Sequence, residues 1–157
     1  MSTTPVLARL SSAARHRGVR AIGLGSLCLL ALAGCWSAPQ GSDMDLINGY
    51  RQSRGAARLA GDQAAMDKAQ AWSRHMAQTG VLEHTGGGGK VNTGGVTGWC
   101  SYYENVGQGS SLAAVHAAFL ASDTHRNNML SASHRVGTGV YQQGSKVWVT
   151  EIYLRNC

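Results

Sequence analysis

The run Trp99-Cys100-Ser101-Tyr102-Tyr103-Glu104-Asn105-Val106-Gly107-Gln108-Gly109 decides how this chain is built. Its aromatic residues favour a strand from Trp99 to Glu104, and the glycines that follow are expected to end it. One carboxylate therefore stands at the end of a strand. Histidines lie twenty residues upstream, at His84, and twenty-one downstream, at His125. A fold that returns both imidazoles to Glu104 makes a His/Glu/His pocket, for which the rest of the chain is scaffold.

Working outward, Asp43 or Asp45 can cap a first helix through about Arg54, with Leu46, Ile47 and Tyr50 at helical spacing. Arg51, Arg54 and Arg58 are expected in solvent. A second helix runs from about Asp62 to Thr79 and is ended by Gly80. Its stripe Ala65, Ala69, Trp72 and Met76 steps by four, three and four residues, which puts those side chains on one core-facing side. Four consecutive glycines from Gly86 to Gly89 open a long loop, read as mobile, over residues 86–98. Gly89-Lys90 is not a phosphate-binding loop, because Val91 stands where Ser or Thr is required. A third helix starts near Ser110 or Ser111, buries Leu112, Val115 and Phe119, and ends near Ser122-Asp123-Thr124. His125 to Leu130 reads as a further short helical turn. The tail is a hairpin, Arg135–Tyr141 and Lys146–Leu154 joined by Gln142-Gln143-Gly144-Ser145. Helices first and a hairpin last imply an α+β domain with an antiparallel sheet.

The N-terminus reads as an export signal. Arg9, Arg15, Arg17 and Arg20 precede an apolar run from Ala21 to Ala33, too short for a permanent span, which needs roughly 20 residues. The run ends in Leu32-Ala33-Gly34-Cys35, which resembles the bacterial lipobox, with cleavage before Cys35 and acylation of its thiol; an ordinary secretory signal beside a cysteine is the alternative. Residues 1–34 are thus expected to be a lipoprotein signal peptide, 35–42 a lipid-anchored tether and 43–157 a single domain. The formal charge of the full chain is +6, but four of its fourteen basic residues and none of its eight acids lie in the signal, so the processed chain carries +2. With no basic stripe carrying interleaved aromatics, nucleic acid is excluded as the expected partner. Cys28 leaves with the signal and Cys35 is lipidated, which leaves Cys100 and Cys157 to pair in an oxidising compartment, two free thiols being the alternative.

Taken together, Leu46-Ile47-Asn48-x-Tyr50-Arg51, Ala69 to His84, Glu104-Asn105-Val106, Phe119-Leu120-Ala121-Ser122-x-x-His125-Arg126-x-Asn128, Val136-Gly137-x-Gly139-Val140 and Trp148-Val149-Thr150-Glu151 resemble, in order, the CAP superfamily of cysteine-rich secretory, antigen 5 and pathogenesis-related proteins. The resemblance implies an α–β–α sandwich with a small antiparallel sheet between helical layers. It also implies a cleft of two histidines and two glutamates that binds zinc or another divalent ion in some members. Matched residue by residue, His84 is the first histidine, Glu104 the glutamate of the Gly-Glu-Asn motif and His125 the second histidine. Tyr103 replaces the glycine before Glu104. Ser122 stands where the second glutamate is expected, and Asp123 beside it would point about 100° away on a helix.

Two imidazoles and a carboxylate can hold Zn²⁺ with a position left for water, and such a water can hydrolyse a peptide, ester or glycan bond. Without the second acid the obvious general base is gone, and nothing in the sequence aims Glu83 or Glu151 at the cleft. No serine elbow is present. The expected function is therefore a non-catalytic binding or interaction module, anchored to the cell envelope through Cys35, that takes a small ligand, lipid or envelope component. A metal-dependent hydrolase of peptide or cell-wall substrates is the second reading and a structural envelope protein the third. Trp36, rather than an aspartate, follows Cys35, which points to an outer membrane where one exists.

Overall fold

The computed structural model describes residues 36–157. The signal segment and Cys35 lie outside the described residues. Helix α1 spans Ala38–Ser53, β1 Ala60–Gly61, α2 Gln63–Thr79, β2 Ser101–Gly109, α3 Leu112–Ala121, α4 Asp123–Met129, β3 Arg135–Gln143 and β4 Lys146–Arg155. The sheet order is β1-β3-β4-β2, antiparallel throughout except for the short parallel pairing of β1 with β3. Among the described residues no helix is long and apolar enough to cross a membrane.

Strand β4 is buried along nearly its whole length because both sheet faces are covered. Side chains alternate along a strand, so Val147, Val149 and Tyr153 pack with Ile47, Val115, Phe119 and Met129 of α1, α3 and α4. Ile152 and Leu154 turn the other way, onto Ala65 and Ala69 of α2. The described residues thus form an α–β–α sandwich. Helix α2 lies very close to β3: a Cβ on Gly137 would stand 2.2 Å from the carbonyl carbon of Ala65, and one on Gly139 2.2 Å from that of Ala69.

Helix α2 keeps its expected limits. Asp62 accepts from the Ala65 amide at 2.9 Å and Gly80 closes the C-terminus at φ 72°. Trp72 is half-buried rather than fully in the core, its indole N–H donating to the Glu83 carbonyl at 2.8 Å.

Four expectations need correction. The first helix begins at Ala38, not near Asp43: Ser37 and Gln40 form a capping box, Pro39 sits in the first turn, and Gln40 donates to the Thr138 carbonyl at 2.8 Å. Residues 38–42, read as tether, therefore belong to the domain. Arg51 is buried, not solvated, because Ala57, Met129 and Ser131 offer it carbonyls at 2.7–2.9 Å. The glycines after Glu104 do not end the strand. Strand β2 continues through Gly109, and Phe119 and Val115 of α3 fill the space where a Gly107 side chain would stand, 2.8 Å away. The hairpin turn is Gly144-Ser145 alone, with Gln143 paired to Lys146.

Cys100 and Cys157 form a disulfide, Cα atoms 4.9 Å apart, just beyond the Ser101–Arg155 end of the β2–β4 ladder.

Candidate functional site

Glu104 and Asn105 are neighbours on β2, the edge strand, so their side chains leave opposite faces of the sheet. That alternation creates two polar clusters, one on each side.

On the α2 side, His84 and Thr85 follow the end of α2 and come back over the strand. The Nδ1–H of His84 donates to Oε1 of Glu104 at 2.9 Å. The Thr85 amide donates to the same oxygen at 2.9 Å, and the Thr85 hydroxyl to Oε2 at 2.7 Å. The carboxylate is 3% exposed and has donors on both oxygens, as a buried acid requires. In a neutral His84 that hydrogen bond places the ring proton on Nδ1 and leaves Nε2 with a free lone pair. The His84 side chain is 30% exposed. Thr85 also accepts from the Asn92 amide at 2.8 Å, which ties the glycine loop to the site. Beside it lies a groove of about 340 Å³ lined by Lys68, Ala71, Trp72, His75, Thr85 and Asn92, with the His75 ring stacked on Trp72 at 4.5 Å.

His125 enters from α4. Its ring packs on Phe119, centroids 4.9 Å apart. Burial first, and then the nearby His84, hold its pKa below the ordinary imidazole value, so the neutral ring is favoured there. Asn105 positions the backbone of α4, donating to the His125 carbonyl at 3.1 Å, while Asn128 donates to the Asn105 side-chain oxygen at 2.9 Å. Ser122 sits at the junction of α3 and α4, and Asp123 is exposed and paired with Arg126. Neither brings a second carboxylate to the cleft.

On the other face stands Glu151, which nothing in the sequence aimed at the site. Its Oε2 accepts from Asn105 at 2.8 Å and from the Tyr153 hydroxyl at 2.6 Å. Burial lifts its pKa to about 7 against the opposing pull of those two hydrogen bonds, and burial together with the charge of Glu151 lifts Asp43 well above the carboxylate range. Among the described residues, one trio of acid and imidazole ligand atoms lies mutually within 4.8 Å: Asp43, His116 and Glu151. The sequence carries only a partial signal of this trio. Asp43, Ile47 and Arg51 step by four along α1, a single helix face, and His116 interrupts an otherwise apolar α3.

The family model of the cysteine-rich secretory protein (CAP) family matches residues 44–153. No curated protein matches the chain. Among solved structures, an extracellular protein containing an SCP domain from Bacillus anthracis is 25% identical over 75% of this chain, with a TM-score of 0.62; the chain spans only 40% of that protein. An outer surface protein of Borrelia burgdorferi is 15% identical, with 74% of this chain and 94% of that one covered and a TM-score of 0.64. A cysteine-rich secretory protein of Staphylococcus aureus is 17% identical, with coverage of 75% and 39% and a TM-score of 0.57.

Proposed function

Because this chain belongs to the CAP family, the cysteine-rich secretory protein family, we propose that it is an exported binding module whose cleft takes a divalent cation, zinc or one like it, together with an envelope ligand. The observation that carries this reading is the saturation of Glu104. Its two oxygens are engaged by His84 and Thr85, so it acts behind His84 as an orienting carboxylate. The ion would then be held by Nε2 of His84 and a ring nitrogen of His125, with Glu104 outside the ligand set. When bound, it would supply a Lewis-acid point for an oxygen of the ligand. Trp72, His75 and Lys68 offer that ligand an aromatic wall and an ammonium. With Glu104 occupied and Ser122 in place of a second acid, no carboxylate in the cleft is left to act as general base.

Replacing Glu104 by Gln is expected to weaken zinc binding about 10- to 100-fold, as loss of an orienting carboxylate does. Peptide and cell-wall fragments should remain uncut by either protein. Zinc-dependent cleavage by the wild type, abolished in Glu104→Gln, would overturn the binding reading in favour of a hydrolase.

The proposal includes a lipid on Cys35. Trp36 is half-buried and its ring occupies the space beside Gly61, and α1 begins two residues later. A lipid there would hold the domain flush with its membrane, the outer one where two exist. Cys35→Ala is expected to move the protein from the membrane fraction to the soluble one; a variant that stays membrane-bound would refute the anchor.

A further inference from the structure

We infer that Asp43, His116 and Glu151 form a second cation site, buried on the opposite side of the sheet from the cleft and independent of whether the cleft holds an ion. The three side chains come from α1, α3 and β4 and are 1%, 9% and 0% exposed. Their ligand atoms lie within 4.8 Å of one another. Both oxygens of Asp43, Nδ1 of His116 and Oε1 of Glu151 have no hydrogen-bond partner.

That combination is costly without an occupant. An ionised carboxylate removed from water needs a counter-charge and donors, and this pocket supplies neither to Asp43. Arg51, two turns further along α1 on the same face, gives Nε and Nη1 to the carbonyls of Ala57, Met129 and Ser131 instead. Glu151 is half engaged: Asn105 and Tyr153 hold Oε2 and leave Oε1 turned to the cluster. A single water has two hydrogens to offer, fewer than the four unpartnered atoms, and brings no charge to offset a carboxylate. A divalent ion balances two carboxylates and a neutral imidazole. One nitrogen and several carboxylate oxygens suit a transition metal such as zinc, at about 2.0–2.2 Å from each ligand, better than calcium or magnesium, which prefer oxygen alone. The ion would fasten α1 to α3 and β4. Through Glu151 and Asn105 it would also steady the His125 backbone of the cleft.

The test separates the two sites. Full-length protein in which His84 and His125 are both alanine is unfolded and refolded either in chelator or in zinc, then desalted. The expected result is about one zinc per chain, with a melting temperature raised by about 10 °C over the chelator sample, the scale expected for tight ligand linkage. Adding Asp43→Asn should abolish both effects while leaving a folded metal-free protein at least as stable as its parent, because a buried amide needs no counter-charge. Should that variant fail to fold, His116→Leu with cobalt in place of zinc gives the same answer from the visible absorption of the bound ion, present in the parent and absent in the variant. Equal melting temperatures and no retained metal in the cleft-less protein would mean that the cluster holds only a proton and water, and would overturn the site. Undiminished zinc in Asp43→Asn or undiminished cobalt absorption in His116→Leu would overturn it as well. Failure of the cleft proposal leaves these outcomes untouched, since the cleft histidines are absent throughout.

Discussion

Gly137→Val is expected to leave no cooperatively folded protein, and Gly137→Ala with Gly139→Ala to lower the melting temperature by more than 20 °C. A Cβ at Gly137 meets the Ala65 carbonyl carbon at 2.2 Å and the Met66 nitrogen at 2.5 Å; one at Gly139 meets the carbonyl of Ala69 at 2.2 Å and the Gln70 nitrogen at 2.4 Å. These obstacles are main chain of α2, not side-chain ends that can swing aside. The helix would have to retreat from β3 along its length, opening gaps around Ala65, Ala69 and Ile152. Overpacking costs about 1–3 kcal/mol where neighbours can adjust, so about 3 kcal/mol for each alanine is expected here. Two such losses approach the whole stability of a typical domain, roughly 5–15 kcal/mol, at about 4 °C per kcal/mol. Thermal and urea melts of Gly137→Val, of the double alanine variant and of Gly137→Ala alone decide it. A Gly137→Ala protein within about 0.5 kcal/mol of wild type would show that α2 does not lie where the structure puts it.

The second large effect is expected from the disulfide. Cys100 and Cys157 are separated by 57 residues in sequence, and in the chain-entropy account a loop of that size stabilises by about 4 kcal/mol. The native state loses little when the bridge goes. The ladder between β2 and β4 already joins Ser101 to Arg155, and the Cys100 amide donates to the Arg155 carbonyl at 2.7 Å. The gain therefore lies in the unfolded chain. Cys100→Ser with Cys157→Ser should melt about 15 °C lower, with its sheet content unchanged at low temperature by circular dichroism. A shift below about 3 °C would mean that the unfolded chain keeps these ends together without the bond.

Much of the fold was legible because it is written locally. The stripe of α2, its Asp62 cap and its Gly80 stop are all within one segment, and the runs that form β3 and β4 are equally local. The failures share one cause, which is that a partner distant in sequence changed the meaning of a local signal. Gly107 looks like a strand terminator until Phe119 packs on it. Arg51 looks solvated until Met129 and Ser131 turn carbonyls towards it. Residues 38–42 look like linker until Gln40 finds the Thr138 carbonyl across the domain. Strand β1, two residues long, carries no period to read and exists only through its pairing with Arg135 and Val136.

The site divides in the same way. The resemblance led to His84 and Glu104, and the structure joins them directly; it also draws His125 near enough for its ionisation to respond to His84. Thr85, which completes the hold on Glu104, adjoins His84 but gave no signal of its own. Asp43, His116 and Glu151 are successively 73 and 35 positions apart along the sequence, and only the sandwich brings them together.

The proposed binding function stands on a cation held by His84 and His125, with Glu104 behind the first of them. Anomalous diffraction at the zinc edge, from crystals of the wild-type protein grown with zinc and no chelator, tests it most directly. The expected result is a peak about 2.0–2.1 Å from Nε2 of His84 and from a ring nitrogen of His125, with both Glu104 oxygens still on His84 and Thr85. No peak in the cleft under those conditions, or a peak bonded to a Glu104 oxygen, would contradict it.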